Sequence, residues 1–156
     1  MANSKKSTVS TINEVRISFP SVSSNEAFAR AAAASFCAQL NPTYDELSDV
    51  KCAISEAVTN AIVHGYRDSL GEVVLIMKIT DDRTFKAEIR DKGCGIPDVE
   101  EAMRPLFTTD PENERSGMGF TIIENFMDSL RVVSEPGKGT RVIMSKKLSL
   151  LPRVKG

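Results

Sequence analysis

Residues 55–66, "SEAVTNAIVHGY", pose the problem on which the reading of this chain turns. They lie in a run, from Thr43 to about Val63, in which Leu47, Val50, Ile54, Ala57, Val58, Ala61 and Ile62 recur close to the helical period, the pattern of a helix with a buried stripe. The same run carries Glu56, Asn60 and the only histidine, His64, at four-residue intervals. With 3.6 residues per turn, each step of four advances about 40° beyond a full turn, so the three side chains form one slowly spiralling polar edge. Asp49 falls near it. Thr43 with Glu46 makes a capping box to open this helix, and Gly65 is placed to stop it. The polar edge has two readings: the solvated face of an amphipathic helix, or a site. A carboxylate that can accept a proton, one turn from an amide oxygen that can ligate Mg²⁺, suits phosphoryl transfer.

Working towards the N-terminus, "EVRISF" alternates Val15, Ile17 and Phe19 against polar neighbours, as a half-buried strand does, and Pro20 closes it. Ser23 with Glu26 offers a second capping box ahead of an alanine-rich helix to Leu40, which Asn41-Pro42 ends. Towards the C-terminus, "EVVLIMKIT" and "TFKAEIR" read as a hairpin joined across Asp81-Asp82-Arg83. The glycine-rich turn "DKGCGIP" follows, then a short helical piece at 99–103. "LFTTDPENERSGMG" is long and polar, which suggests a functional lid. A helix of about ten residues, "FTIIENFMDS", and two strands, "LRVVSE" and "TRVIMSKKL", complete the order.

Hairpin-joined strands with interspersed helices imply an α+β fold: a two-layer sandwich of one mixed, largely antiparallel sheet with helices on one face. It is not a Rossmann alternation. One domain is expected over 12–148, between a flexible N-terminal tail at 1–11 and a C-terminal tail at 149–156.

The bulk properties narrow the function. A net charge of -1 supplies no positive surface, so direct nucleic-acid binding is not expected, and partners should be proteins or small molecules. Cys37, Cys52 and Cys94 have no metal-ligand spacing and read as reduced thiols, the first two as core filler. No stretch reaches the roughly 20 apolar residues of a membrane span, so a cytoplasmic location is expected.

Three further motifs carry chemistry, each of which also reads as an ordinary turn. Asp91-x-Gly93-x-Gly95 places an acid after a strand, where it can accept from an exocyclic amine, beside glycines that permit close approach. Ser116-Gly117-Met118-Gly119 offers backbone N–H groups to phosphate oxygens. Lys138-Gly139-Thr140 brings a hydroxyl into the last strand.

Their order within one small domain resembles the GHKL ATPase and kinase superfamily, whose Bergerat nucleotide-binding fold is shared by gyrase, histidine kinases and MutL. "EAVTNAIVHGY" looks like its N box, "DKGCGIPD" and "RSGMGFTII" its two glycine boxes, and "GKGT" its last threonine region. The words "PLFTT", "ERSGMGFTI" and "ENFMD" resemble more closely the small serine kinases that act as anti-sigma factors. That resemblance implies a homodimer that binds ATP or ADP with Mg²⁺, holds a sporulation sigma factor inactive, and phosphorylates a serine of an anti-anti-sigma factor. It also implies the roles: Glu56 as general base, Asn60 as Mg²⁺ ligand, and Asp91 with Thr140 at the adenine. Gly93 and Gly95 would admit the nucleotide, Gly117 and Gly119 would adjoin the phosphates, Thr108 and Thr109 would sit in the lid, and Glu26 and Arg30 would contact protein partners. The alternatives are an anti-sigma kinase of the general stress response, or an ATP-binding switch or ATPase without a protein substrate. His64 continues the polar edge with no assigned role.

Overall fold

A computed structural model describes residues 8–104 and 119–150. The strands are β1 (Thr11–Pro20), β2 (Glu72–Thr80), β3 (Thr84–Asp91), β4 (Ser129–Glu135) and β5 (Gly139–Lys147). The helices are α1 (Asn25–Cys37), α2 (Tyr44–Asn60), α3 (Val99–Met103) and α4 (Phe120–Phe126). The five strands form one sheet in the order β1-β2-β3-β5-β4. Expected to be mixed, this sheet is antiparallel at every pairing.

Alternation along the strands sends Phe19, Leu75, Met77, Phe85, Ile89, Val142 and Met144 into the core, where they pack with the inward stripes of α1 and α2. The stripe of α2 lies where the periodicity puts it, with Val50, Ile54, Ala57 and Val58 buried. Phe36 of α1 meets Phe85 of β3 edge-on, with ring centroids 6.5 Å apart. The opposite face of the sheet carries charge: Glu88 bridges Arg90 at 2.9 Å and Arg141 at 2.5 Å.

Of the two expected capping boxes, the one at α2 forms: Thr43 Oγ1 accepts from Glu46 N–H at 3.2 Å, and Glu46 Oε1 accepts from Thr43 N–H at 2.9 Å. The one at α1 does not, because the Glu26 carboxylate is engaged by Arg30 and by the hydroxyl of Ser55 on α2. Helix α1 then tightens into a 3₁₀ turn at Ala38–Leu40, and Asn41 takes a left-handed φ of 48° before Pro42. Helix α4 runs seven residues rather than ten, since Met127 turns into the core and the chain enters β4 at Ser129. Cys37 is buried as expected, whereas Cys52 is exposed, on the face of α2 turned away from the stripe.

Register is what builds the site. Asp91, the last residue of β3, pairs directly with Thr140 near the start of β5, and Thr140 pairs in turn with Ser134 of β4. The ends of three strands therefore meet beside the C-terminal end of α2.

Candidate functional site

After Asn60, α2 widens into a single π-helical turn, Ala61–Gly65. Such turns change the direction in which the following side chains emerge, and they are frequent at functional sites. Here the turn brings His64 and Gly65 over the end of β3. A cleft results, lined by Asn60, His64, Gly65, Asp91, Gly95 and Thr140 with apolar walls from Ile89, Ile96 and Phe120.

The Asp91 carboxylate is the acceptor at its floor. Oδ1 accepts from Gly93 N–H at 2.9 Å, and the backbone of Thr140 supplies a second bond. Burial raises the pKa of this carboxyl against the pull of those two donors. Glycine is required by close approach on two sides. A Cβ on Gly65 would stand 2.9 Å from the Asp91 carboxyl, and one on Gly93 would stand 1.9 Å from the Gly65 carbonyl oxygen. The Gly65 carbonyl in turn accepts from Cys94 N–H at 2.9 Å, tying the glycine loop to the π-turn. Tyr66 reinforces the tie, donating to the Glu72 carbonyl at 2.7 Å and accepting from Lys92 N–H at 2.6 Å.

Glu56 lies one turn before Asn60 and lines a groove beside the cleft. Gly119, at φ +66° ahead of α4, is so close that a Cβ there would come within 2.5 Å of Glu56 Oε2. The outer groove is lined by Arg30, Lys51, Cys52, Glu56, Ile122 and Phe126. Burial, then the neighbouring charge of Glu26, raises the pKa of the Glu56 carboxyl. Glu26 itself pairs with Arg30 at 3.2 Å and accepts from Ser55 Oγ. His64 lines the cleft, its pKa lowered by burial and then by Arg67. Asp49 is used structurally instead, in an ion pair with Lys146 at 3.3 Å.

The structure thus brings Asn60, Asp91, Gly95 and Thr140 together around one cleft, with Gly93 packed behind it. Gly119 packs closely against Glu56, which lines the neighbouring groove with Arg30, the ion-pair partner of Glu26. Thr108, Thr109 and Gly117 lie outside the described residues. Sequence reasoning missed Tyr66, Gly65, Ser55 and Ser134 as site-building residues. Only Tyr66 and Gly65 had a signal, since they close the same motif as Glu56.

Residues 19–146 match the Histidine kinase-like ATPase domain family. The anti-sigma F factor of Oceanobacillus iheyensis is 57% identical over 137 residues, 88% of this chain and 94% of that protein. The chain belongs to the anti-sigma F factor family. Other family members include the anti-sigma F factor of Clostridium acetobutylicum, 52% identical over 139 residues (89% of this chain, 96% of that protein). The Bacillus subtilis member is 53% identical over 137 residues (88% and 94%). The fold is also that of a crystal structure of the RsbU and RsbW domains of a Mycobacterium tuberculosis protein, with a TM-score of 0.65 at 20% identity. That match covers 87% of this chain and 32% of the other. The α+β architecture is accordingly the GHKL fold of the family. Among the described residues, no helix is long and apolar enough to cross a membrane.

Proposed function

We propose that this chain is an ATP-dependent protein-serine kinase and an anti-sigma factor: a cytoplasmic homodimer that holds sigma F inactive and phosphorylates a serine of an anti-anti-sigma protein. The reading rests above all on Glu56, which lines the Arg30 groove one helical turn before Asn60 in the cleft, so that a proton acceptor lies between a nucleotide in the cleft and a protein in the groove.

The residues present suit both implied ligands. Apolar walls ending in a buried acceptor, Asp91, match a flat base carrying an exocyclic amine, and the tight Gly65–Gly93 contact leaves backbone rather than side chains at that edge. Among the described residues no cluster of three or more His, Cys, Asp or Glu could hold a metal, and Asn60, whose side-chain amide carries an oxygen of the kind Mg²⁺ prefers, lines the cleft. Mg²⁺ needs no more than one such protein ligand when phosphates and water complete its octahedron. Bound Mg-ATP supplies the transferable phosphoryl group and the charge that neutralises it.

Within that frame, Asp91 and Thr140 orient the base, and Asn60 would hold the metal. Gly119 keeps the approach open and Glu56 accepts the proton from the serine hydroxyl. Its raised pKa brings the carboxylate closer to that of an effective general base at neutral pH. Arg30, half-exposed in the same groove, offers a cation to the incoming protein. The test is incubation of the purified protein with γ-labelled ATP, Mg²⁺ and a candidate anti-anti-sigma protein. Label on a partner serine is expected. Release of labelled phosphate without protein labelling would replace the kinase by an ATPase.

A further inference from the structure

One face of α2 builds the groove beside the cleft. Ser48, Lys51, Cys52, Ser55 and Glu56 fall at i, i+3, i+4, i+7 and i+8, on the side of the helix turned away from Val50, Ala53, Ile54, Ala57 and Val58, and all five line the groove. Ile122, 40% exposed, and Phe126, half-buried, line it from α4. The groove therefore joins an apolar wall to a polar face that carries the Glu56 carboxylate. Its two cations are not equivalent. Arg30 brings its own counterion, Glu26 at 3.2 Å. Lys51 is exposed and, among the described residues, has no ion-pair partner. An uncompensated ammonium beside an apolar wall is complementary to a protein segment that carries a carboxylate, and covering that wall strengthens the pair by excluding water.

We infer that Lys51 is a specificity-determining residue, which selects among protein substrates a serine with an aspartate or glutamate about two or three positions away. The inference rests on the kinase reading of Glu56. Its spacing comes from the helix. Lys51 precedes Glu56 by five residues, about 7.5 Å along the axis at 1.5 Å per residue. An extended segment advances about 3.3 Å per residue, so with its serine hydroxyl at Glu56 the residue that meets Lys51 is about two or three positions along. Arg30 is less suited to this selection, since an incoming carboxylate must compete there with Glu26. In sequence Lys51 is one lysine on a polar helix face; its isolation beside an apolar wall exists only once α1 and α4 pack against α2.

The test uses the intact chain, γ-labelled ATP, Mg²⁺ and the anti-anti-sigma protein that becomes labelled, with the phosphoserine located by mass spectrometry. An acidic residue at the stated spacing from that serine is expected, and its absence would overturn the inference. Lys51→Glu should raise KM for this protein about tenfold, the effect of reversing one charge at a docking surface, with KM for ATP and kcat near wild type. Lys51→Arg, which keeps the charge, should behave as wild type. Replacing the partner's acidic residue by lysine should raise KM with the wild-type chain and restore it with Lys51→Glu. An unchanged KM in Lys51→Glu, or a loss that the swapped partner does not repair, would deny Lys51 the role. So would a rise in KM for ATP, which would put Lys51 at the nucleotide phosphates. A wild-type chain that hydrolyses ATP but labels no protein serine would instead overturn the kinase reading, and the inference with it.

Discussion

The two ends of α2 handle their glutamates in opposite ways. At the start, Glu46 is fully partnered: it closes the capping box with Thr43, and Oε2 accepts from Ser149 N–H at 2.7 Å. Burial raises its carboxyl pKa, but the bonds from Thr43 and Ser149 outweigh it and bring the pKa below the ordinary carboxylate value. At the other end, Glu56 is pushed the other way by burial and by Glu26. One helix therefore carries a carboxylate held as an anion for stability and another made more ready to take a proton. The difference teaches where to look for chemistry on an amphipathic helix: at the polar group whose surroundings disfavour its charge.

The contrast is broken most severely at Glu56. Glu56→Gln should lower phosphoryl transfer about 10²- to 10⁴-fold, the usual contribution of a general base, while ADP affinity measured by calorimetry stays near wild type. The sign for stability is opposite to that for activity. A carboxyl with a raised folded-state pKa binds its proton more tightly folded than unfolded, so its stabilising effect is present at low pH and lost as pH rises through that pKa. At neutral pH the ionised Glu56 therefore costs stability, and the glutamine variant should melt higher than wild type. A lower melting temperature would remove Glu56 from the class of strained functional groups. Asn60→Ala comes next: ATP affinity in Mg²⁺ should fall about tenfold and affinity in excess chelator should not, the pattern expected when a single ligand contact is lost. Equal loss in both conditions would deny Asn60 its metal role.

How much of this was legible depends on how far each partner lies along the chain. Thr43 and Glu46 are three residues apart, and their box forms as local pattern predicts. Ser23 and Glu26 show the same pattern, yet Glu26 is taken by Ser55, which is 29 residues away in sequence and adjacent only once α1 packs on α2. The hairpin strands were readable because alternation is local. The shortness of α4 was not, because Lys147 N–H reaches Asp128 at 2.6 Å only in the assembled sheet and fixes the chain there as it enters β4. The motif order pointed to Asp91 and Thr140, but their direct pairing is a matter of register between β3 and β5. The π-turn after Asn60 left no trace, since one wider turn hardly disturbs the apolar stripe. Ser149, expected in a tail, is held by Glu46 and by Arg83 at 3.0 Å.

The smaller effects belong to the start of α2. Thr43→Ala removes one half of the capping box and should cost about 1 kcal/mol of stability in denaturant unfolding, with nucleotide affinity unchanged. Smallest is the pH dependence of Glu46. A carboxyl with a lowered folded-state pKa gives stability that is fully present above its unfolded value, about 4.3, and is lost as pH falls through the lower folded value. Glu46→Gln removes that dependence, so the gap in melting temperature between wild type and variant should be widest near neutral pH and narrow as the solution is acidified below that value. The opposite slope is expected from Glu56→Gln, where the ionised carboxylate is the costly form and the variant's advantage should shrink on acidification as wild-type Glu56 takes up its proton. Two glutamine substitutions on one helix, measured by the same melting experiment, should therefore show gaps of opposite sign that both close towards low pH. Gaps of the same sign would mean that the two ends of α2 are electrostatically alike, and Glu56 would then lose the raised pKa on which its role as base depends.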